Sequence, residues 1–289
     1  MSLEIREILR IAEARLREAG CPDPKRDAEE LMCHMMDFDR SRFFMKLGDV
    51  LSENGCENYF QLIDLRATRK PLQYIVGSQE FMGLNFKVDP SVLIPRQDTE
   101  TLVEAALEHM KSGAPLGGWR VLDVGTGSGA IAVSICAKES AARAMASDIS
   151  PEALGLAAAN AAAAGVSSRV KFVLSDMFDG LGTGGRFHFV LSNPPYVKRQ
   201  DLPFLQEEVS GHEPAIALDG GVDGLDFYRI LARDAARRLK KRGRILLEIG
   251  FDQAEQVREL FEETGRYEEF AVKKDLAGHD RVFSALLKA

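Results

Sequence analysis

The chain is expected to be an α/β protein, with a mostly parallel sheet covered by helices on both faces and a small helical domain in front. Three observations carry this. From Arg120 onward, short apolar runs alternate with helical patterns, the arrangement of a sheet buried on both faces. Before about residue 75 the apolar residues recur at helical spacing, with no strand pattern. The length of 289 residues, 45% of them hydrophobic, suits one large core plus an accessory domain.

The first helix is read from Ile5, Ile8, Leu9, Ala12 and Leu16, which share one face and end near Gly20. A CPDP turn restarts the chain. A second face follows through Ala28, Leu31, Met32 and Met35, and a third helix through Phe60, Ile63 and Ala67. These place a helical domain over 1–75. Residues 76–95 form a linker with a short hairpin, Phe81-Met82 against Phe86-Val88. The main α/β domain takes 96–289, opening with a helix near Gln97 or Asp98. Its strands are WRVLDVG, ARAMASDI, VKFVLSD, FHFVLSNPP and GRILLEIG, with helices expected over Gly129–Lys138, Pro151–Ala164 and Leu225–Lys241. The last two apolar runs, YEEFAVKK and DRVFSALLK, are separated by too few residues for a parallel crossover, so at least one is antiparallel.

Composition excludes several classes. The formal net charge is -7, where a protein gripping phosphates carries a basic balance or stripe. The basic run Arg233–Arg244 has the spacing of a solvated helix face. Cys21, Cys33, Cys56 and Cys136 have neither knuckle nor CxxC spacing. No metal site is expected, and a reducing cytoplasm is the simplest location. No segment approaches the roughly 18 consecutive apolar residues of a membrane span. His34, His109, His188, His212 and His279 receive no catalytic role, and Trp119 is read as packing.

In an open α/β sheet, ligands bind beyond the carboxyl ends of the strands. The first strand ends in Asp123, Val124, Gly125, Thr126, Gly127, Ser128 and Gly129. Alternating glycines let a backbone turn sharply and pass close to a ligand. Alone, the loop also fits a tight turn without ligand, or a permissive dinucleotide fingerprint. Asp148 ends the next strand, where a carboxylate accepts from both hydroxyls of a ribose. Ser150 and Pro151 then supply an N-cap and a first-turn proline. Asp123 discriminates between cofactors: it would repel a pyrophosphate but suits a ligand end carrying an ammonium and a sulfonium. Asp176 and Met177, after the third strand, offer an adenine a hydrogen-bond partner and an apolar neighbour.

The fourth strand ends in Asn193, Pro194, Pro195 and Tyr196. Each proline holds φ at about −65° and restricts the residue before it to extended geometry. The Asn193 side-chain oxygen and the Pro194 carbonyl become fixed acceptors, with Tyr196 as an aromatic face nearby. An NH2 conjugated to a π system is a poor nucleophile and far too weak an acid to be deprotonated first. Two acceptors can hold its N–H bonds and aim the nitrogen at a methyl donor, so catalysis is positioning and needs neither a metal nor a dedicated base.

DVGTGSGA, SDIS, SDMFD and NPPY in this order resemble the class I methyltransferases of the amino-group type. RKPLQYIVGSQEF, LIPRQDTETLVE, EPAIALDGGVDGLDFYR and DLAGHDRV narrow the resemblance to the N5-glutamine methyltransferases of peptide chain release factors, the HemK-like family. It runs from about Arg69 to the C-terminus. It implies a helical N-terminal domain, a hairpin linker and a seven-stranded Rossmann-like domain. The cofactor would be S-adenosyl-L-methionine, and the substrate the glutamine of the Gly-Gly-Gln motif of release factors, with no direct nucleic-acid requirement. Carried over, Gly125 to Gly129, Asp148 and Met177 bind cofactor; Asn193 touches cofactor and substrate; Asn193 to Tyr196 cradle the glutamine amide. Met177 is a departure, since an aromatic is common there in the family. Arg96 and Glu100 fall near the active-site wall and are read as a structural ion pair or cap. The competing reading is an amino-methyltransferase of adenine or guanine in nucleic acid. Further alternatives are a cofactor-sensing module without turnover, and a dinucleotide-dependent oxidoreductase.

Overall fold

The computed structural model describes residues 3–111, 113–182 and 186–289. It separates into two compact units, one of residues 1–78 with 206–212 and the other of residues 79–205 with 213–289.

The first unit is helical. α1 (Ile5–Glu18) buries Ile5, Ile8, Ala12 and Leu16, the stripe that its periodicity predicts. In α2 (Pro24–Met36) the Asp23 side chain caps the Arg26 N–H and Pro24 opens the helix. α3 (Arg40–Met45) and α4 (Glu53–Ala67) begin the same way, Asp39 capping Arg42 and Ser52 capping Gly55. α5 (Leu72–Val76) follows Pro71 and stops at Gly77, whose φ of 78° suits glycine. Tyr59 is fully buried and donates its hydroxyl to the Ala28 carbonyl at 2.8 Å, tying α4 to α2. Arg66 is buried, and donates to Asp27 at 2.7 Å and to Glu208 at 2.9 Å. Glu208, in a helical turn over Glu207–Ser210, also accepts from Arg69 at 2.6 Å. Burial alone would raise its pKa, but these guanidinium hydrogen bonds hold it down at about 2.

The second unit opens with a hairpin, β1 (Ser78–Phe81) and β2 (Leu84–Lys87). Met82 and Gly83 both have positive φ, 53° and 74°, the backbone of a two-residue hairpin turn. Met82 therefore lies in the turn, not in the strand expected for it. α6 (Gln97–Met110) leads to the sheet: β3 (Trp119–Val124), α7 (Ala130–Lys138), β4 (Ala142–Asp148), α8 (Pro151–Ala163), β5 (Val170–Leu174) and β6 (Phe187–Ser192). α9 (Glu207–Ser210) belongs to the helical unit, and α10 (Asp226–Asp234), β7 (Leu239–Glu248), α11 (Ala254–Glu263), β8 (Tyr267–Lys274) and β9 (Asp280–Leu287) complete the chain.

The seven-stranded sheet has the order β5-β4-β3-β6-β7-β9-β8. Its first five strands pair in parallel, while β9 is antiparallel to both β7 and β8. This is the class I methyltransferase fold. Alternate residues feed the two faces: Val121 packs with α6 and α7 residues, Leu122 with α10 and α11 residues. One expectation is corrected. The helix read over Leu225–Lys241 stops at Asp234, and Leu239 already starts β7. The basic run is thus divided between a helix end, a 3-10 turn and a strand, with Arg242 at φ 56°.

Candidate active site

β3 has β4 on one side and β6 on the other, and the chain reverses direction along the sheet there. Such a switch point opens a crevice at the strand ends. The glycine loop leaves β3 and the NPPY loop leaves β6, with Asp123 paired to Leu191 in register. Ser192 Oγ donates to the Val124 carbonyl at 2.7 Å and fastens the two exits together. A cavity of about 410 Å³ lies here.

Its wall brings together Gly125, Thr126, Gly127 and Ser128, Asp148, Asp176 and Met177, and Asn193, Pro194 and Pro195. Gly125 and Gly127 have φ of 73° and 53°, and a Cβ on either would meet no protein atom within 4 Å. Asp148 divides its carboxylate between two backbone groups. Oδ2 accepts from Gly127 N–H at 2.8 Å and Oδ1 from Ser150 N–H at 3.0 Å. Each oxygen keeps a lone pair for a ribose hydroxyl. Met177 has φ 44°, held by a turn in which Ser175 Oγ donates to its carbonyl at 3.0 Å and accepts from Gly180 N–H. Exposed Ile149 joins it on the wall.

Three of the residues expected at the site lie behind it. Asp123 is fully buried and is not on the wall. Its Oδ2 accepts from Thr126 Oγ1 at 2.6 Å and Ala132 N–H at 3.1 Å, so it braces the glycine loop from beneath. Oδ1 is buried and has no hydrogen-bond partner among the described residues. Burial pushes the pKa up to about 7 against the Thr126 and Ala132 bonds. Gly129 also stands off the wall. A Cβ there would sit 3.1 Å from the Ala157 Cβ, so it permits α7 and α8 to approach. Tyr196 packs its ring against the β7 side of the core, and its hydroxyl reaches Glu248 Oε1 at 3.4 Å. Burial raises the pKa of this phenol.

Two further quoted segments reach the wall: LIPRQDTETLVE through Arg96 and Thr99, and EPAIALDGGVDGLDFYR through Pro214, Ile216 and Phe227, while Val92 and Ile230 lie outside any motif. Arg96 ion-pairs with Glu213, not with Glu100; Glu100 instead accepts from Met82 N–H. Glu213 also accepts from Ile94 N–H at 3.3 Å. The glycines of EPAIALDGGVDG prove to be packing requirements. A Cβ on Gly220 would lie 2.8 Å from the Tyr196 Cα, and one on Gly224 2.5 Å from the Tyr196 carbonyl. The NPPY loop is pressed into place by backbone that only glycine allows.

The wall fits S-adenosylmethionine: a close-approach loop, a strand-end carboxylate with lone pairs to spare, and an apolar platform at Ile149 and Met177. Residues 7–77 match the PrmC N-terminal domain family and residues 98–209 the methyltransferase small domain family. The release factor glutamine methyltransferase of Moorella thermoacetica is 42% identical over 283 residues, covering 98% of both chains. That of Cereibacter sphaeroides is 42% identical with the same coverage. This chain belongs to the release factor glutamine methyltransferase family. A bifunctional methyltransferase of Rickettsia felis is 35% identical over 98% of this chain and 58% of its own. In fold, a methyltransferase from Pyrococcus furiosus superposes with a TM-score of 0.50 at 20% identity, over 72% of this chain and 90% of that one.

Proposed function

We propose that this enzyme transfers a methyl group from S-adenosylmethionine to the side-chain amide nitrogen of the glutamine in the Gly-Gly-Gln motif of release factors. The observation that carries this is the placing of Asn193, Pro194 and Pro195 on the same cavity wall as the glycine loop and Asp148. Cofactor and amide acceptors share one chamber.

When bound, S-adenosylmethionine supplies an electrophilic methyl group on a positively charged sulfur. Asp148 and the Gly125–Ser128 loop hold the adenosyl part, with Ile149 and Met177 against the base. Asn193 Oδ1 and the Pro194 carbonyl accept the two N–H bonds of the glutamine amide. The nitrogen lone pair is thereby turned toward the methyl carbon, and both acceptors strengthen their grip as positive charge grows on nitrogen. When bound, the cofactor would give up its sulfur–methyl bond to the nitrogen so aimed and leave as the neutral thioether; the surplus proton on nitrogen would pass to water, with no protein base required.

The substrate is a protein, acted on in the cytoplasm without a nucleic-acid component. Support comes from the net charge of -7 and the relatives' activity. Among the described residues, no helix is long and apolar enough to cross a membrane. The test is incubation with labelled S-adenosylmethionine and purified release factor, with and without nuclease, followed by peptide mapping. Label on the Gly-Gly-Gln glutamine at a nuclease-independent rate is expected. Label on nucleic acid, with a salt-dependent gel shift, would reverse the reading.

A further inference from the structure

The Asn193 amide is nearly symmetric in shape but not in polarity. If its NH2 faced the substrate, a donor would meet a donor. Something must fix which end points outward, and two buried groups do so in sequence.

Glu248 ends β7 and is 1% exposed. Its Oε2 accepts from Thr99 Oγ1 at 2.6 Å. Thr99 lies in the first turn of α6 and is itself buried. Its oxygen accepts from Asn193 Nδ2 at 3.2 Å. An ionised carboxylate can only accept, and a hydroxyl has one hydrogen to give. That hydrogen goes to Glu248, so Thr99 can offer Asn193 only a lone pair. The amide must therefore turn its NH2 inward and its oxygen toward the cavity.

We propose that Glu248 and Thr99 are positioning residues that set the polarity of the Asn193 amide, Glu248 acting through the Thr99 hydroxyl. This rests on Asn193 being the amide acceptor of the reaction. Neither residue need touch the reacting atoms. Their effect falls on how often Asn193 presents oxygen, and hence on turnover more than on cofactor binding. Tyr196, at 3.4 Å from the other Glu248 oxygen, is a weaker restraint on the carboxylate.

The test uses the full-length enzyme with intact release factor and four isosteric or conservative variants beside Asn193→Ala. Thr99→Val should lower kcat about tenfold to a hundredfold, with cofactor affinity within about twofold of wild type. Thr99→Ser, which keeps the hydroxyl, should recover most of that loss. Glu248→Gln can face Thr99 with either end of its amide and should also lower kcat. The Thr99→Val/Glu248→Gln double variant should be no slower than Thr99→Val alone, because both remove one device. The proposal is overturned if Thr99→Val keeps wild-type kcat while Asn193→Ala loses it. Equal loss in Thr99→Ser and Thr99→Val, or additive loss in the double variant, also overturns it. If Asn193→Ala itself turns over normally, the reading of the active site fails first, and that result is distinct from the others.

Discussion

The Asp148 carboxylate, at the end of β4, accepts the Gly127 N–H at 2.8 Å, so the acid proposed to hold ribose and the glycine loop are one mechanical unit. Asp148→Ala should therefore act twice, removing acceptors for ribose and releasing the loop. Each charge-assisted hydrogen bond lost weakens binding by about 1.5–3 kcal/mol. Calorimetric titration with S-adenosylmethionine and with its demethylated product should show the same loss for both, since neither interaction involves the methyl group. Binding of NAD by the wild-type enzyme in place of both ligands would contradict the assignment.

Asn193→Ala should lower kcat by about a hundredfold or more while cofactor affinity changes little, because the acceptor matters most once the nitrogen gains charge. Asn193→Asp is the finer case. It keeps an acceptor but removes the Nδ2 donor and sets a carboxylate beside the Thr99 oxygen, so turnover should stay low. Steady-state kinetics with separate cofactor titration decide; near wild-type kcat in Asn193→Ala would falsify the positioning mechanism.

Asp123→Ala should loosen the glycine loop without deleting a ligand contact. Thr126 and the Ala132 N–H both lose their partner, at a cost of about 1–3 kcal/mol for each buried group left unpaired. The expected result is a lower melting temperature in the absence of ligand, with part of the loss recovered at saturating cofactor. Amide hydrogen exchange across Gly125–Ala132 is the direct measurement, and unchanged exchange there would remove Asp123 from the loop's support.

What the sequence shows well is what local chain chemistry alone determines. Gly125 and Gly127 need positive φ, and Asn193 and Pro194 are constrained by the prolines after them, so these loops declare themselves wherever they sit. The strand alternation did the same for the sheet. Asp123 was legible as important but not in its role, because strand alternation at the end of β3 turns it into the core, beneath the loop. Thr99 lies within LIPRQDTETLVE, but nothing local marks it or Glu248 as partners of Asn193. Thr99 and Glu248 stand 149 residues apart and meet only when the start of α6 reaches the end of β7. The helix read through Lys241 has a plain cause: KKRGR has the charge density of a solvated helix, and it is held as strand by partners distant in sequence, Leu239 on Phe187 and Arg244 on Phe189 of β6 and Leu286 of β9.

The carboxyl of Glu248 gives a pH prediction of definite sign. Burial pushes its pKa up to about 7, against the Thr99 hydrogen bond and the nearby Arg281 cation; Asp98 opposes these and the Tyr196 hydroxyl assists them. A raised folded-state pKa means the folded protein holds this proton more tightly than the unfolded chain. Its contribution to stability is fully present below about pH 4.5 and is lost as pH rises through about 7. Glu248→Gln should therefore melt higher than wild type at pH 8, by up to about 3 kcal/mol in stability, and similarly at pH 4. Turnover runs the other way. Wild-type kcat should fall as pH drops below about 7, since a protonated Glu248 can donate to Thr99 and free its hydroxyl to face the wrong end of Asn193. The Gln variant should lack this limb. Thermal melts and kcat profiles over the same buffers test both halves, and a Gln variant less stable than wild type at pH 8 would sink the first.

The helical unit yields the last prediction. Arg66 is buried between Asp27 and Glu208, and Arg69 closes the other side of Glu208. Glu208→Ala leaves the buried Arg66 with one carboxylate in place of two. Breaking a buried pair from one side costs about 3–5 kcal/mol, and the surviving Asp27 should keep the loss near the lower figure. The consequence should be local, freeing the 206–212 segment from the helical unit, because the other contacts of Arg66 and Tyr59 remain. Limited proteolysis should then cut near Gln206–His212 in the variant and not in wild type. Cofactor affinity should be unchanged, since the Gly125–Ser128 loop and Asp148 belong to the other unit. If the helical unit docks the protein substrate, kcat/KM for intact release factor should fall while the rate on a short Gly-Gly-Gln peptide stays the same. Equal proportional loss on protein and peptide, with the segment demonstrably released, would show that these helices serve folding and not docking.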